Sequence, residues 1–194
     1  MSTLRCLNGA ALAALALMLA CAKPPTQEMA AADNAIKAAI QAGAKDYAPD
    51  EMATAETALG EAQSKVAGKD YKGAKAAALD AKAKAEAAGA AAAANMQAAQ
   101  AQVQQGMEAL KPQLEFLVAE AAGLKIKGAD QAKADAGSLS EQWQAIVADF
   151  SGGQFLAVSQ KLVEFQTRID ALRTSIEEAK KAAATPVKKR KGRR

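Results

Sequence analysis

Small and apolar residues recur at spacings of three and four along nearly the whole chain after residue 26. No segment alternates with the period of two that a half-buried strand needs, so the pattern predicts helices throughout. Thr26 can cap a first helix that runs toward Gly43 with Met29, Ile36 and Ile40 on one face. Pro49 suits a first helical position, and Asp50 and Glu51 favour the positive end of the dipole that follows it. That second helix repeats Met52, Ala55, Leu59, Ala62 and Val66 and stops near Gly68, after which Asp70 can cap a third.

The third helix contains one half of a repeat. Its seam reads Tyr71, Ala74, Ala78, Ala81, Ala85, Ala88, Ala92, and a later seam reads Phe155, Val158, Leu162, Phe165, Ile169, Leu172, Ile176. The spacings are identical, and the two series lie a whole number of heptads apart. The loops in front also align, "AGKDYKGA" with "SGGQFLAV", and before them Leu59 falls on Trp143 and Ala55 on Leu139. The expected fold is therefore all-α, with two degenerate copies of an elongated antiparallel helical hairpin, heptad-packed and Ala-rich, forming a helical bundle. Fully burying a Leu, Ile or Phe contributes about 1.5–3 kcal/mol and an alanine methyl under about 1, so the second copy should be the more stable. The first relies on alanine's helix propensity and on backbones that approach closely.

Between the copies, Val103, Met107, Leu110, Leu114, Leu117, Ala121 and Leu124 keep the same rhythm straight through Pro112. A proline inside a helix removes one hydrogen bond and clashes with the preceding turn, which predicts a break near Lys111 and a short helix to about Gly123. Asp130 offers one later cap, and Ser138 with Glu141 three residues on offers a capping box. The expected organisation is a leader over 1–20, an anchor and linker over 21–25, an Ala-rich hairpin region over 26–111, a second hairpin region over 112–185 and a disordered basic tail over 186–194.

Composition narrows the chemistry. Alanine exceeds a quarter of the chain, histidine is absent, and one of the two cysteines, Cys6, lies in the leader. A chain without histidine or a thiol pair lacks the commonest general base, the commonest metal ligand and any disulfide framework. No phosphate-binding glycine loop, nucleophile elbow or metal-spaced cluster occurs. The carboxylates, Glu177 and Glu178 among them, are expected on solvated faces, and Trp143 and the phenylalanines at core positions. The expectation is a protein that is not an enzyme and has no cofactor.

Residues 1–20 divide as a secretory signal does, with Arg5 near the start and a run from Ala10 to Leu19 too short to span a bilayer, which takes about 20 residues. Met18-Leu19-Ala20-Cys21 resembles the lipobox of bacterial lipoproteins, with Met18 and Leu19 where that family prefers leucine and a small residue. The resemblance implies acylation of Cys21 as the new N-terminus. Ala22, in place of the aspartate that retains many such proteins at the inner membrane, implies the periplasmic face of the outer membrane. Ala20-Cys21-Ala22 also reads as a simple cleavage site that would release a soluble periplasmic or secreted chain from Lys23.

Further along, Tyr47-Ala48-Pro49-Asp50-Glu51 and Asp70-Tyr71-Lys72-Gly73-Ala74 resemble recurring features of the helical lipoprotein family catalogued as domain of unknown function 4398. The resemblance covers residues 30–88, with Gly68-Lys69-Asp70 in place of that family's adjacent Gly-Asp. It implies an envelope protein built of helical hairpins and supplies no activity.

The chain closes on "KKRKGRR", in which Lys188, Lys189, Arg190, Lys191, Arg193 and Arg194 carry the charge. Of 25 basic residues, these six and Arg5 lie outside the body, whose remaining cations are outnumbered by the 21 acidic residues. No aromatic residue interleaves the tail's charges to stack on bases, so nucleic acid is not an expected partner. Near an anionic surface each cation can contribute about 1 kcal/mol. The tail would be either a solvated, disordered end or a contact with peptidoglycan, lipopolysaccharide or anionic lipid, with the membrane held through the N-terminal lipid. The chain ends in Arg194 and not in the lysine by which the Braun-type lipoprotein joins peptidoglycan. A helix from Tyr71 to Gly106, about 50 Å long at 1.5 Å per residue, would serve a spacer or tether. The alternative expectation is a helical binding module that recruits another envelope protein.

Overall fold

The structure is a computed structural model that describes residues 23–126 and 129–184. Among these residues six helices follow one another: α1 (Thr26–Gln41), α2 (Ala44–Tyr47), α3 (Pro49–Ala67), α4 (Tyr71–Gly123), α5 (Asp130–Ser151) and α6 (Phe155–Ala184). No strand occurs among the described residues, and the fold is an all-α helical bundle. The helices pack as two compact units that divide between Asn95 and Met96, and α4 supplies a helix to each.

In the first unit α1, α3 and the N-terminal part of α4 bury a seam made almost wholly of alanine. Ala32, Ala58, Ala62, Ala77, Ala78 and Ala81 form one cluster. Ile36, Ala39, Ala44, Met52, Ala55, Ala85, Ala88 and Ala92 belong to a second. Side chains this small let backbones come close: a Cβ placed on Gly89 of α4 would meet the Ala39 Cα of α1 at 3.6 Å. At the turn before α3, Asn95 Nδ2 donates to the Tyr47 carbonyl at 2.6 Å.

In the second unit residues 96–123 of α4 pack with α5 and α6 around a core of larger side chains, including Leu110, Leu114, Leu117, Leu139, Ile146, Phe155, Leu162, Phe165, Ile169 and Leu172. Trp143 sits partly buried with its ring 5.4 Å from Phe165, and Phe150 meets Phe155 edge-on at 5.5 Å. Arg173 Nη2 donates to Gln113 Oε1 at 3.2 Å, and Lys180 pairs with Glu120. These partners advance together along both helices, so α4 and α6 run parallel with α5 antiparallel between them in sequence. Lys161 to Asp149 ties α5 to α6.

The repeat seen in the sequence recurs in hydrogen-bond detail. At the end of α3 the amides of Gly68, Lys69 and Asp70 donate to the carbonyls of Ser64, Val66 and Lys65 at 3.0, 3.0 and 2.9 Å. At the end of α5 Gly152, Gly153 and Gln154 donate to Ala148, Phe150 and Asp149 at 2.9, 3.0 and 3.1 Å. In each loop the middle residue is left-handed, Lys69 at φ 62° and Gly153 at φ 76°. Bonds from the following residue back to the last turn satisfy carbonyls that a helix end leaves open.

Several expectations are corrected. The helix does not break near Lys111: α4 is continuous through Pro112 to Gly123. Pro112 lies on the exposed side, so the missing amide leaves only a water-accessible carbonyl open, while Leu110, Leu114 and Leu117 hold the helix to the core from both sides. Gln113 Nε2 also donates at 3.1 Å to the carbonyl of Ala109, the residue after Glu108, whose own carbonyl Pro112 leaves without an amide. Ser138 and Glu141 form no capping box because both stand inside α5, where Gln142 Nε2 donates to the Ser138 hydroxyl at 3.1 Å. Asp130 and Thr26 are first helical residues with no side-chain cap at either start. Ile40 is exposed; the buried face of α1 is Ala32, Ile36 and Ala39. Asp70 does cap α4, accepting the Gly73 amide at 2.9 Å.

Candidate functional site

Cys21 and the six tail cations Lys188, Lys189, Arg190, Lys191, Arg193 and Arg194 lie outside the described residues. What is described is the place where the chain enters the fold. Pro25 is buried, its carbonyl accepts the Met29 amide at 3.0 Å, and the Pro24 carbonyl accepts Thr26 at 2.9 Å. Pro24 and Pro25 line one open depression with Met29 and Val66, and a second with Lys23, Tyr71 and Lys72. The start of α1 is thereby packed against the loop that joins α3 to α4.

Electrostatics at this end are local. Glu28 pairs with Lys75 at 2.6 Å, and that hydrogen bond holds the Glu28 carboxyl below its ordinary value. Lys65, Lys69 and Lys72 surround the same loop on exposed positions and enter none of the ion pairs described. Spaced three and four apart over residues 65–72, they make no run that stands out in the sequence. Elsewhere in the unit Lys84 is held charged above its ordinary range by a hydrogen bond to Asp80, 2.7 Å away on the preceding turn.

Among the described residues no polar or charged side chain is buried, and no group of three or more acidic, cysteine or histidine side chains is placed to hold a metal. Glu177 and Glu178 are exposed on α6. The groove between α5 and α6 holds two open depressions that share Arg168, floored by the core residues Leu139 and Leu172 in one and Ile146 and Phe165 in the other. Two large apolar side chains stand out in water, Phe116 on α4 at 67% exposure and Val163 on α6 at 70%. No described helix is long and apolar enough to cross a membrane.

Comparison of the chain with family models, with curated proteins and with solved structures finds no match in any of the three.

Proposed function

We propose that this chain is a non-enzymatic bacterial envelope lipoprotein, acylated at Cys21 and held at the periplasmic face of the outer membrane, that acts as a helical spacer or tether. The observation that carries the reading is the burial of Pro25 against the first unit. Folding begins so soon after Cys21 that the connecting segment, Ala22 to Pro24, extends at most roughly 3.5 Å per residue. A lipid on Cys21 would keep the helical body against its membrane. The helices themselves bury no polar side chain among the described residues, as suits a scaffold, and the basic tail supplies a contact for a second anionic surface such as peptidoglycan.

The intact mass of the protein extracted from its own membranes tests the anchor. A mass of residues 21–194 plus acyl chains is expected; a lipid-free chain beginning at Lys23 would end the reading. The tether is tested by deleting residues 188–194, which should abolish salt-sensitive sedimentation with isolated cell wall. Unchanged sedimentation would remove its second contact.

The exposure of Phe116 favours a second reading, recruitment of another envelope protein. Phe116 lies on the same flank of α4 as Gln113 and Glu120, which face α6, so a partner covering it would also meet Arg173 and Lys180. A photo-cross-linker at position 116 should then capture one dominant product in cells, and a diffuse pattern would exclude it.

A further inference from the structure

Each copy of the repeated hairpin has its own loop, and the two loops share a backbone conformation but not their charge. The first carries Lys65, Lys69, Lys72 and Lys75; the equivalent positions in the second are Asp149, Gly153, Leu156 and Ser159. The cations are therefore not required by the turn. Two of them oppose it. Lys69 adopts φ 62°, a left-handed conformation that a Cβ disfavours and that glycine adopts freely in the equivalent loop. Lys72 stands in the first turn of α4, the positive end of the helix, where the dipole disfavours a cation. Lys65, at the far end of α3, is the one that the dipole favours.

The loop is also the part of the first unit that meets the incoming chain. Lys23 and Pro24 lie beside Tyr71 and Lys72, and Pro25 beside Val66. Of the acidic groups nearby, Glu28 pairs with Lys75, Asp70 accepts the Gly73 amide and keeps its charge, and Asp33 lines the depression that holds Pro25 and Val66. Lys23, Lys65, Lys69 and Lys72 are left as a face of unpaired ammonium groups around the point where the chain leaves for Cys21.

We propose that this face is a docking site for anionic phospholipid headgroups, so that the base of the first unit sits on the membrane that anchors it. The inference rests on the reading of Cys21 as the lipid anchor. Ammonium groups on flexible stems suit phosphate as point charges, and a leash this short keeps them near enough to the membrane to reach its headgroups, where their attraction falls off within a Debye length, about 8 Å at physiological salt. A lysine retained against backbone strain at the tip of a loop is intelligible when its charge is used there.

The test reconstitutes the acylated protein into vesicles of phosphatidylcholine alone and of phosphatidylcholine with phosphatidylglycerol. Its lysines are labelled with an amine-reactive reagent and read residue by residue by mass spectrometry. On the phosphatidylglycerol vesicles labelling of Lys65, Lys69 and Lys72 should slow by about fivefold each, the equivalent of the ~1 kcal/mol expected per cation at an anionic surface. Lys45, in α2 beyond the other end of α1, should be unaffected, and high salt should abolish the difference. Equal labelling on the two vesicles would overturn the proposal, as would protection of these lysines by isolated peptidoglycan and not by lipid. The same digest reports Cys21. An acylated Cys21 with unprotected lysines would overturn the docking face and leave the anchor standing; a Cys21 that carries no lipid in protein taken from its own membranes would remove the anchor on which the docking face rests. Lys69→Gly should raise the unfolding midpoint by about 2 °C while weakening the protection of Lys65 and Lys72. A gain in stability with protection unchanged would show that the charge is not used.

Discussion

Asp70 accepts the Gly73 amide at 2.9 Å and so closes one of the donors that the start of α4 would leave open. Asp70→Ala should cost about 1 kcal/mol of stability, measured by denaturant unfolding, and Asp70→Asn should retain most of it. This cap was legible because its chemistry is written in four consecutive positions. Ser138 and Glu141 offered a similar spelling and were misleading: Ala132, Ala136, Leu139 and Ile146 carry one buried face straight past them, and packing outweighs a local preference. The pair Glu28–Lys75 was not legible at all, since its members lie on different helices. Glu28 has its carboxyl pKa depressed in the folded chain. Whatever stability the pair supplies is therefore present above the ordinary carboxylate value and lost as pH falls through the depressed one. Lys75→Gln should return the Glu28 titration, followed by NMR, toward the ordinary value. A titration that stays low would assign the shift to the backbone instead.

Individual elements were read best where a seam is long and ends in a loop with its own grammar. The ends of α3 and α5 match because glycine, or a residue tolerated in its place, follows the last turn in both copies. The four residues of α2 have no such seam, and they were not anticipated. Pro112 is the instructive failure. A proline costs about 3 kcal/mol against alanine inside a helix, which argues for a break. The apolar series Leu110, Leu114, Leu117 is unshifted across it, however, and each of those side chains is buried. Two or three buried leucines, at about 1.5–3 kcal/mol apiece, outweigh the missing bond. Pro112→Ala should accordingly stabilise the second unit by about 1–3 kcal/mol in chemical denaturation. A change near zero would mean that the helix does not continue through residue 112 in solution.

At the scale of the molecule the repeat conceals two kinds of core. The two hairpin seams and an apolar rhythm for a further helix beside each were visible in the sequence, but the grouping of three helices into each unit was not, because α1 and residues 96–123 of α4 are not related by the repeat. The first unit buries alanine with few larger residues, Ile36 and Met52 among them; the second buries leucine, isoleucine, valine and phenylalanine. Burial of apolar area scales with side-chain size, so helices of equal length are held with unequal free energy. Alanine compensates in part, since it has the best helix propensity and lets backbones close to contact, as α1 and α4 do at Ala39 and Gly89. Amide hydrogen exchange should separate the two. Amides around Ala78–Ala88 should exchange through openings of lower free energy than those around Val158–Leu172, although all are helical and flank buried seams. Ala81→Leu should widen the gap, because overpacking a core without space typically costs about 1–3 kcal/mol. If both segments instead exchange with one opening energy, α4 couples the units into a single cooperative transition, and Ala81→Leu would then destabilise the second unit as much as the first.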